Sequence, residues 1–410
     1  MGITGLLPLL KPASKDMKVE QLSGSVALVD AYCWLHRATI GCATDLYYGK
    51  ETSHYLKFCL TRVEFLEKLG IKCILVFDGL ALPAKQGTKD ARKETRDKTK
   101  AQIAALLKQG KEKDAKAMMR RVSEVTQEMA RKLIIACREK NIDYIVAPYE
   151  ADAQIAYLMK KNIGHFVITE DSDLLLFGCD YVFFKMDKEG RGSLTRKRKI
   201  TKVPEFKSAK FTFEKFRRMC ILSGCDYLPN IPGIGLVKSK LFFSLTECDD
   251  MKKELPELPS YLNMKNLKVP DEYIENFLNS EKTFKYQLVF CPIKRKMVPL
   301  EPYDNGIDPK TLEYAGKMLD DDLALEFALG NVDMETMKVI DNYRPPSFEH
   351  SPKDSDDTIW SKSYKPKDVN PLDIKFGYVE PPRNMEQKKR PNSNGSSPSP
   401  KKSKQIKKKK

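Results

Sequence analysis

The chain of 410 residues has only four histidines, and none of its ten cysteines forms a Cys-x-x-Cys pair. Scattered histidines argue against a zinc site, and cysteines without a regular framework are typical of reduced thiols in an intracellular protein. No apolar run approaches the roughly 18 residues of a membrane span, and the N-terminus lacks a signal-peptide pattern. These absences argue against a disulfide-stapled secreted domain and against a membrane protein.

The formal net charge is +16, and it is unevenly distributed. Residues 388–410 contain ten Lys or Arg and no acid, and residues 84–140 contain 17 basic and eight acidic residues. Without these two segments the chain is slightly acidic. We therefore expect a polyanionic partner that is held by particular segments rather than by the whole surface.

The sequence beyond about residue 345 becomes rich in Pro, Ser and Asp and loses its apolar periodicity. This composition predicts a disordered basic tail over 346–410. Within it, Lys388-Lys-Arg390 and Lys401-Lys-Ser-Lys404 are separated by ten residues, a spacing that resembles a bipartite nuclear import signal. A solvated tail that adds non-specific DNA affinity is the alternative. We expect a nuclear protein.

Strand-like runs alternate with helical patterns over the first 180 residues, which predicts a mostly parallel α/β sheet. Residues 84–140 interrupt this pattern with a basic, helix-favouring stretch, and residues 211–330 are mainly helical in pattern. An ordinary pair of solvated helices would explain the basic stretch equally well. The second half of that stretch has apolar residues at helical spacing, at Met118, Val122, Val125, Met129 and Leu133.

Seven carboxylates lie near the ends of short apolar runs, at Asp30, Asp78, Glu150, Asp152, Asp171, Asp173 and Asp226. Ligands of open α/β sheets bind beyond the carboxyl ends of the strands, so these acids predict one shared site. A lone Asp in such a position is usually a turn or helix-capping residue, but five segments with the same pattern weaken that explanation. Oxygen ligands without histidine favour Mg²⁺ or Mn²⁺. Two such ions about 4 Å apart would activate a water and stabilise the leaving oxygen of a phosphodiester.

The basic stretch places Lys85 and Arg92 seven residues apart, so both can face one side of a helix, and Arg96 extends that face by a turn. Cations there would offset charge that develops on a phosphate. Basic residues on an exposed helix are more often simply solvated.

The segment from Ser223 to Gly235 contains a Pro-Gly-Ile-Gly turn before a helical pattern with Lys238 and Lys240. Such a turn presents backbone N–H groups to an anion, and the alternative is a plain helix–turn–helix packing corner. Tyr32 and His36 follow Asp30 closely and could stack on an unpaired base. Between them, Trp34 is expected in the core.

Five segments resemble motifs of the structure-specific 5′ nuclease (XPG/flap endonuclease) superfamily. They are Met1-Gly-Ile-Thr-Gly-Leu6, Val76-Phe-Asp-Gly79, Tyr149-Glu-Ala-Asp-Ala-Gln154, Thr169-Glu-Asp-Ser-Asp-Leu174, and Gly224-Cys-Asp-Tyr227 continued through Gly235. Five further segments point to the exonuclease branch, at 30–36, 215–224, 286–296, 314–316 and 328–331. A flap endonuclease would have a sliding-clamp motif after the core, and this chain has none. The chain also has no room for the long spacer of the XPG branch.

The resemblance implies a PIN-like α/β nuclease core with a helical arch and a helix-two-turn-helix. The implied regions are 1–99 and 138–230 for the two nuclease regions, 84–140 for the arch and following helix, and 223–345 for the helix-two-turn-helix and C-terminal helical part. Asp78, Glu150 and Asp152 would hold one metal ion, with Asp30 in support. Asp171, Asp173 and Asp226 would hold the second.

The resemblance also implies roles for other residues. Lys85 and Arg92 would act on the scissile phosphate. DNA contacts are implied for Gly2, Tyr32, His36, Arg96, Gly233, Gly235 and Lys238. A potassium ion is implied at Ser223, Asn230 and the Ile234 carbonyl, although Asn230 stands where relatives often have a small hydroxyl residue. Likewise, Thr95 occupies an arch position that is often basic.

The expected activity is that of a Mg²⁺-dependent 5′→3′ exonuclease on duplex DNA with 5′-flap endonuclease activity, acting in DNA repair. Its partners would be nicked, gapped, ended or 5′-flapped DNA, bound by a monomer. Mn²⁺ could replace Mg²⁺. The resemblance also implies mismatch-repair proteins as partners, but the tail that usually binds them is largely missing, because only about 65 residues follow the core. The alternatives are a dedicated flap endonuclease, a DNA-end-binding module of low activity and a small-molecule phosphatase, which would have little use for the basic stretch.

Overall fold

A seven-stranded sheet forms the centre of the computed structural model, which describes residues 2–206, 211–346, 348 and 358–377. A separate two-stranded hairpin follows later in the chain. The strands are β1 Ser14–Lys18, β2 Val26–Asp30, β3 Lys72–Phe77, β4 Asp143–Val146, β5 Phe166–Thr169, β6 Tyr181–Phe184, β7 Arg191–Arg196, β8 Leu288–Cys291 and β9 Lys296–Pro299.

The large sheet has the strand order β1-β7-β6-β5-β2-β3-β4, and its five adjacent strands β6, β5, β2, β3 and β4 are parallel. Only β7 runs antiparallel to both of its neighbours. The parallel strands are almost wholly buried, as expected for a sheet covered on both faces. This confirms the mostly parallel α/β sheet that the sequence predicted.

Helices cover both faces of the large sheet, and the sheet separates the interior into two cores. Leu28, Ile74 and Val167 belong to one core, whereas Val29, Leu75 and Ile168 belong to the other, because successive strand residues point to opposite faces. Trp34 is buried in the second core, as the sequence predicted. The helices are α1 Leu6–Leu9, α2 Ala31–Gly41, α3 Ala43–Tyr47, α4 His54–Lys68, α5 Gln86–Lys108, α6 Glu112–Val122, α7 Gln127–Glu139, α8 Ala151–Lys160, α9 Lys197–Ile200, α10 Phe213–Leu222, α11 Leu236–Leu245, α12 Met251–Glu254, α13 Leu258–Tyr261, α14 Asp271–Tyr286, α15 Asp321–Ala328 and α16 Pro371–Lys375.

The basic stretch 84–140 forms α5, α6 and α7. The single periodic pattern from Met118 to Leu133 is divided between two helices, because residues 123–126 are not helical. Val122 packs with Ile103 and Met119 in a small cluster of its own, while Met129 and Leu133 pack on the sheet. The first two helices therefore form a hairpin with its own apolar contact, which stands apart from the main cores.

The prediction of a disordered tail over 346–410 is wrong for residues 358–377, which we call the strap. Trp360 is buried, and its indole N–H donates to the backbone oxygen of Tyr144 at 3.1 Å. The side chain of Asn370 donates to the carbonyl of His165 at 2.8 Å, and Leu372 is buried in the second core. The strap has only a few apolar residues, and they show no periodicity. Its order therefore comes from the surface that it covers rather than from its own sequence pattern.

The proposed import signal at 388–404 lies outside the described residues. No helix of the described ranges is long and apolar enough to cross a membrane.

Candidate active site

The acids predicted from the sequence meet at the carboxyl end of the parallel strands. Asp30 is the last residue of β2, Asp78 follows β3 directly, and Asp171 comes two residues after β5. These three strands are neighbours in the sheet, with β2 in the middle. The carboxyl ends of adjacent parallel strands lie at one edge, so the topology alone brings these side chains together.

Asp30 is buried and doubly hydrogen-bonded. One carboxylate oxygen caps α2 by accepting from the backbone N–H of Cys33 at 2.9 Å, and the other accepts from the Thr169 hydroxyl at 3.2 Å. Burial and the nearby charges of Asp78 and Asp171 raise the pKa of Asp30 to about 7, against these hydrogen bonds. Both oxygens of Asp30 thus already accept hydrogen bonds from the protein. This suits the predicted role of Asp30 in supporting the first metal site.

The start of α8 contributes two further acids. Glu150 is the N-cap residue of α8 and Asp152 lies in its first turn, while Asp78 accepts from the backbone N–H of Ala151 at 2.8 Å. Burial raises the pKa of Asp152 well above its usual value, and the charges of Asp171 and Asp30 add to the effect. Burial likewise raises the pKa of Asp78. One helix end therefore holds three of the acids side by side.

Asp171 and Asp173 are held by a short 3-10 helix, Ser172–Leu175. A carboxylate oxygen of Asp171 accepts from the backbone N–H of Asp173 at 3.0 Å, and burial raises the pKa of Asp171. Asp173 is buried, and one of its carboxylate oxygens has no hydrogen-bond partner. Burial, followed by the charges of Asp171 and Asp226, raises the pKa of Asp173 well above its usual value. The charge of Lys85 offsets this effect only in part, and no salt bridge joins Asp173 to a cation in the described part of the chain.

The two predicted basic residues both contact Asp226. Lys85 ends a 3-10 helix and donates to one oxygen of Asp226 at 3.0 Å, while Arg92 in α5 donates to the other at 2.7 Å. Lys85 also contacts Glu150. Burial opposes ionisation of Asp226, but Lys85 and Arg92 outweigh it and hold the pKa of this carboxyl below its usual value. Asp226 therefore carries its charge beside two cations.

Two residues of this site were missed in the sequence. The hydroxyl of Tyr227 donates to Glu150, and the Gln287 amide donates to the same oxygen at 3.2 Å. The Gln287 side-chain oxygen accepts from the backbone N–H of Glu150 at 3.3 Å. Gln287 is wholly buried just before β8. Its only sequence signal was its place in the 286–296 segment, which carried no chemistry by itself.

The donor set fits a hard divalent cation. The acids supply only oxygen atoms, one of these is an orphaned buried oxygen, and burial raises the pKa of several of them. In the described part of the chain, however, no three acidic, His or Cys side chains are arranged to chelate an ion directly. The ammonium of Lys85 lies between Glu150 and Asp226 and supplies positive charge there. Chelation would therefore require this lysine and its acids to separate.

A cleft of about 910 Å³ lies next to the acids, between α1, α2 and the α5–α6 hairpin. Arg96 lies on its wall and pairs with Glu124 at 3.0 Å. The half-buried Tyr32 lies close enough to Asp78 for that charge to raise its pKa further, after burial. Basic and polar side chains dominate the lining, including His36, Arg37, Arg92, Arg96, Arg120, Arg121 and Lys185.

Gly2 lies against the 3-10 helix of the acids. Its φ is 79°, and a Cβ atom there would lie 2.2 Å from the Ser172 hydroxyl oxygen, so only glycine fits. The next backbone N–H, that of Ile3, donates to the same hydroxyl at 2.9 Å. The N-terminal segment is thereby fixed beside Asp171.

The turn before α11 adopts the arrangement that the sequence predicted, with Gly235 as the N-cap residue and Gly233 at φ 81°. Lys238 follows in the first turn of this helix. The potassium ion implied by the resemblance does not fit the side chains as they stand. Asn230 donates from its amide to the carbonyls of Ile231 and Ile234, at 3.1 and 2.8 Å, and the Ser223 hydroxyl donates to Cys220 at 2.7 Å.

Comparisons with known proteins identify related domains and related chains. The XPG N-terminal domain matches residues 1–99, and the XPG I-region matches residues 141–226. Exonuclease 1 of Drosophila melanogaster is 43% identical over 394 residues, which cover 93% of this chain and 54% of that protein. The DNA damage-inducible protein DIN7 of Saccharomyces cerevisiae is 33% identical over 302 residues, which cover 73% of this chain and 69% of that protein.

The fold is similar to that of a solved nuclease core. The catalytic core of Rad2 in complex with a DNA substrate (complex IV) matches with a TM-score of 0.52 at 19% identity, covering 80% of this chain and 99% of that chain. The arrangement of sheet and helices is thus of the XPG type. The chain belongs to the XPG family, and it is similar to the exonuclease 1 proteins. It spans about half the length of the exonuclease 1 relatives, namely 54%, 48% and 47%.

Proposed function

We propose that the chain is a metal-dependent 5′→3′ exonuclease on double-stranded DNA that also cleaves 5′ flaps and acts in DNA repair. The observation that carries the proposal is the link through Asp226 between the acids and the cations Lys85 and Arg92. A phosphodiester at this rim would meet oxygen ligands on one side and two cations on the other.

The acids fall into two groups according to the part of the backbone that holds them. Asp78, Glu150 and Asp152 surround the start of α8 and would hold one Mg²⁺ ion, with Asp30 supporting that site. Asp171, Asp173 and Asp226 would hold the second, with Mn²⁺ able to replace Mg²⁺. When bound, such cations lower the pKa of an attacking water and stabilise the leaving oxygen of the phosphodiester.

The basic residues have a separate task. Lys85 and Arg92 would balance negative charge on the phosphate, and their ion pairs with Asp226 hold both side chains beside the acids before a cation binds. DNA binding would draw on Gly2, Tyr32, His36 and Arg96 around the cleft, and on Gly233, Gly235 and Lys238 at the turn. We propose a monomer that takes nicked, gapped, ended or flapped duplexes, and no partner protein is assigned.

The decisive experiment uses end-labelled nicked duplex and 5′-flap DNA with Mg²⁺ and with EDTA. Release of mononucleotides supports the exonuclease, whereas flap-sized fragments alone support a dedicated flap endonuclease. The absence of cleavage with intact DNA binding would support the end-binding module. The same assay includes the Asp173→Ala variant, which should be inactive. Cleavage activity of this variant within a few-fold of the wild type would contradict the second metal site.

We also propose that the chain acts in the nucleus. The support is the pair of basic clusters at 388–390 and 401–404. Removing residues 388–410 should make a fluorescent fusion cytoplasmic while nuclease activity persists. Continued nuclear accumulation would contradict the import signal.

A further inference from the structure

A second strongly basic surface lies outside the cleft and the turn. Residues 191–202 contain six Lys or Arg and no acid, and they form β7 and α9. We define the β7–α9 basic surface by Lys15, Arg196, Arg198, Lys199 and Lys202.

The register of the sheet places this surface at the end opposite the acids. Arg196 is the last residue of β7 and pairs with Tyr181, the first residue of β6. On the neighbouring strand β1, Lys15 pairs with Leu194 of β7, so it lies at the same end of the sheet as Arg196. The acids lie beyond the other ends of the parallel strands. At about 3.3 Å per residue, strands of four to six residues separate the two ends by roughly 13–20 Å.

Cations predominate on this surface, although Lys197 of the same helix pairs with Asp180 at 3.8 Å. The pKa of Lys199 is lowered first by Arg196, then by slight burial and by Arg198, Lys202 and Lys15, so these cations lie within range of one another. Among the residues that the structure describes, Lys15, Lys199 and Lys202 make no salt bridge within 4 Å. Lys15 and Lys202 are exposed to solvent. Clustered cations repel one another, so a bound polyanion would lower their electrostatic energy.

The strap ends on the same surface. The Arg196 guanidinium lies 5.1 Å from the ring centroid of Phe376, and Arg198 donates to the Phe376 carbonyl at 3.2 Å. Both arginines are therefore held in place on the protein. The lysine ammonium groups remain available as mobile point charges, which suit a phosphate backbone rather than the fixed geometry of a single ligand.

We propose that the β7–α9 basic surface binds the phosphate backbone of a second DNA segment while the first occupies the active site. The choice of DNA as the polyanion rests on the proposed function. The surface spreads its cations over two strands and a helix, as repeated phosphates require. It would keep long DNA attached to the protein without taking part in cleavage.

A bridging assay tests the proposal with the full-length chain. Protein bound to an immobilised 5′-flap DNA in EDTA is offered a labelled closed-circular duplex, which has no ends. The test variant is Lys15→Glu, Lys199→Glu, Lys202→Glu. The matched control is Lys68→Glu, Lys310→Glu, Lys338→Glu, which reverses three exposed lysines elsewhere.

Wild type and the control should retain the circle, and the test variant should retain at least tenfold less. The slope of log affinity against log salt for the circle should fall by about 2 to 3 in the test variant, as expected for the loss of three phosphate contacts. Affinity for the flap DNA and the thermal melting temperature should stay within twofold and within about 3 °C of the control, respectively.

Three outcomes would overturn the proposal. The test variant could retain the circle as well as the control does, the control could lose it equally, or the wild type could fail to retain it while still binding the flap. Single-turnover flap cleavage in Mg²⁺ is measured in parallel. Absence of cleavage in all proteins would contradict the proposed function, whereas unchanged retention of the circle contradicts only the second site.

Discussion

The guanidinium of Arg92 donates to a carboxylate oxygen of Asp226 at 2.7 Å, across 134 positions of sequence. This contact joins the α5–α6 hairpin to the acids at the rim of the sheet. The neighbouring Thr88 hydroxyl donates to the Asp226 backbone oxygen at 2.7 Å, so the start of α5 is anchored twice to the same residue. The position of the hairpin and the charge of the site are therefore linked.

Arg92→Ala should slow cleavage by about 100-fold and weaken DNA binding by less than about threefold, because in our proposal this cation acts on the reacting phosphate rather than on the duplex. Single-turnover rates and fluorescence anisotropy measure the two effects. Lys93→Ala on the same helix is the control, since it makes no salt bridge among the described residues. Equal losses in rate and affinity would make Arg92 a binding residue only.

Gln287→Ala should raise the Mg²⁺ concentration needed for half-maximal cleavage by about tenfold, because the glutamine orients Glu150 from two sides. The dissociation constant of Mn²⁺, measured by electron paramagnetic resonance without DNA, should rise in parallel. The control is Gln154→Ala, a buried glutamine whose side-chain amide makes two hydrogen bonds with the backbone of Phe290 and, among the described residues, none with an acidic side chain. An equal rise in the control would show that packing alone is responsible.

Asp173→Asn should raise the melting temperature in EDTA, because it removes a buried charge that has an unpaired oxygen and two acidic neighbours. The same change should abolish most of the stabilisation that Mg²⁺ gives to the wild type. Differential scanning fluorimetry with and without Mg²⁺ measures both effects, and the exposed Asp16→Asn is the control. A lower melting temperature in EDTA would contradict the unfavourable charge at Asp173.

His165 should make stability depend on pH below neutrality. Its ring nitrogen accepts from the backbone N–H of Val26 at 2.9 Å, and burial followed by the charge of Lys367 lowers the pKa of His165 to about 4. The unfolded chain binds the proton more readily, so the contribution is complete above about pH 6.5 and is lost as the pH falls towards 4. The loss amounts to about 3 kcal/mol.

His165→Asn keeps an acceptor without the titration and should flatten the dependence of the free energy of unfolding on pH between 6.5 and 4. Urea unfolding at a series of pH values measures it. The exposed His54→Asn is the control and should leave the wild-type dependence intact. A variant that loses stability with falling pH as steeply as the wild type would rule out His165 as the source.

Duplex binding should change less than about twofold when K⁺ is replaced by Na⁺, because the Asn230 amide already donates to the Ile231 and Ile234 carbonyls. Asn230→Ser removes these donors and should make binding stronger in K⁺ than in Na⁺. Anisotropy titrations in the two salts at equal ionic strength measure this, with Asn141→Ser as the control. A severalfold loss for the wild type in Na⁺ would mean that an ion does bind at the turn.

The sequence alone determined the sheet and the place of the acids. Strands that are buried on both faces appear in the sequence as continuous apolar segments, and an acid at the end of such a segment marks the point where the strand reaches the rim of the sheet. The positions of Asp30, Asp78 and Asp171 followed from this local rule. The family was equally accessible, since its motifs are short, ordered segments of the chain.

Only the tertiary structure decided which groups surround each acid. Lys85 between Glu150 and Asp226, and Gln287 against Glu150, depend on segments that are far apart in sequence and meet through packing. For the same reason, the ordered conformation of the strap could not be predicted from the sequence. Trp360 and Leu372 show no periodicity, and their burial depends on a sheet edge that exists only once the rest of the chain has folded.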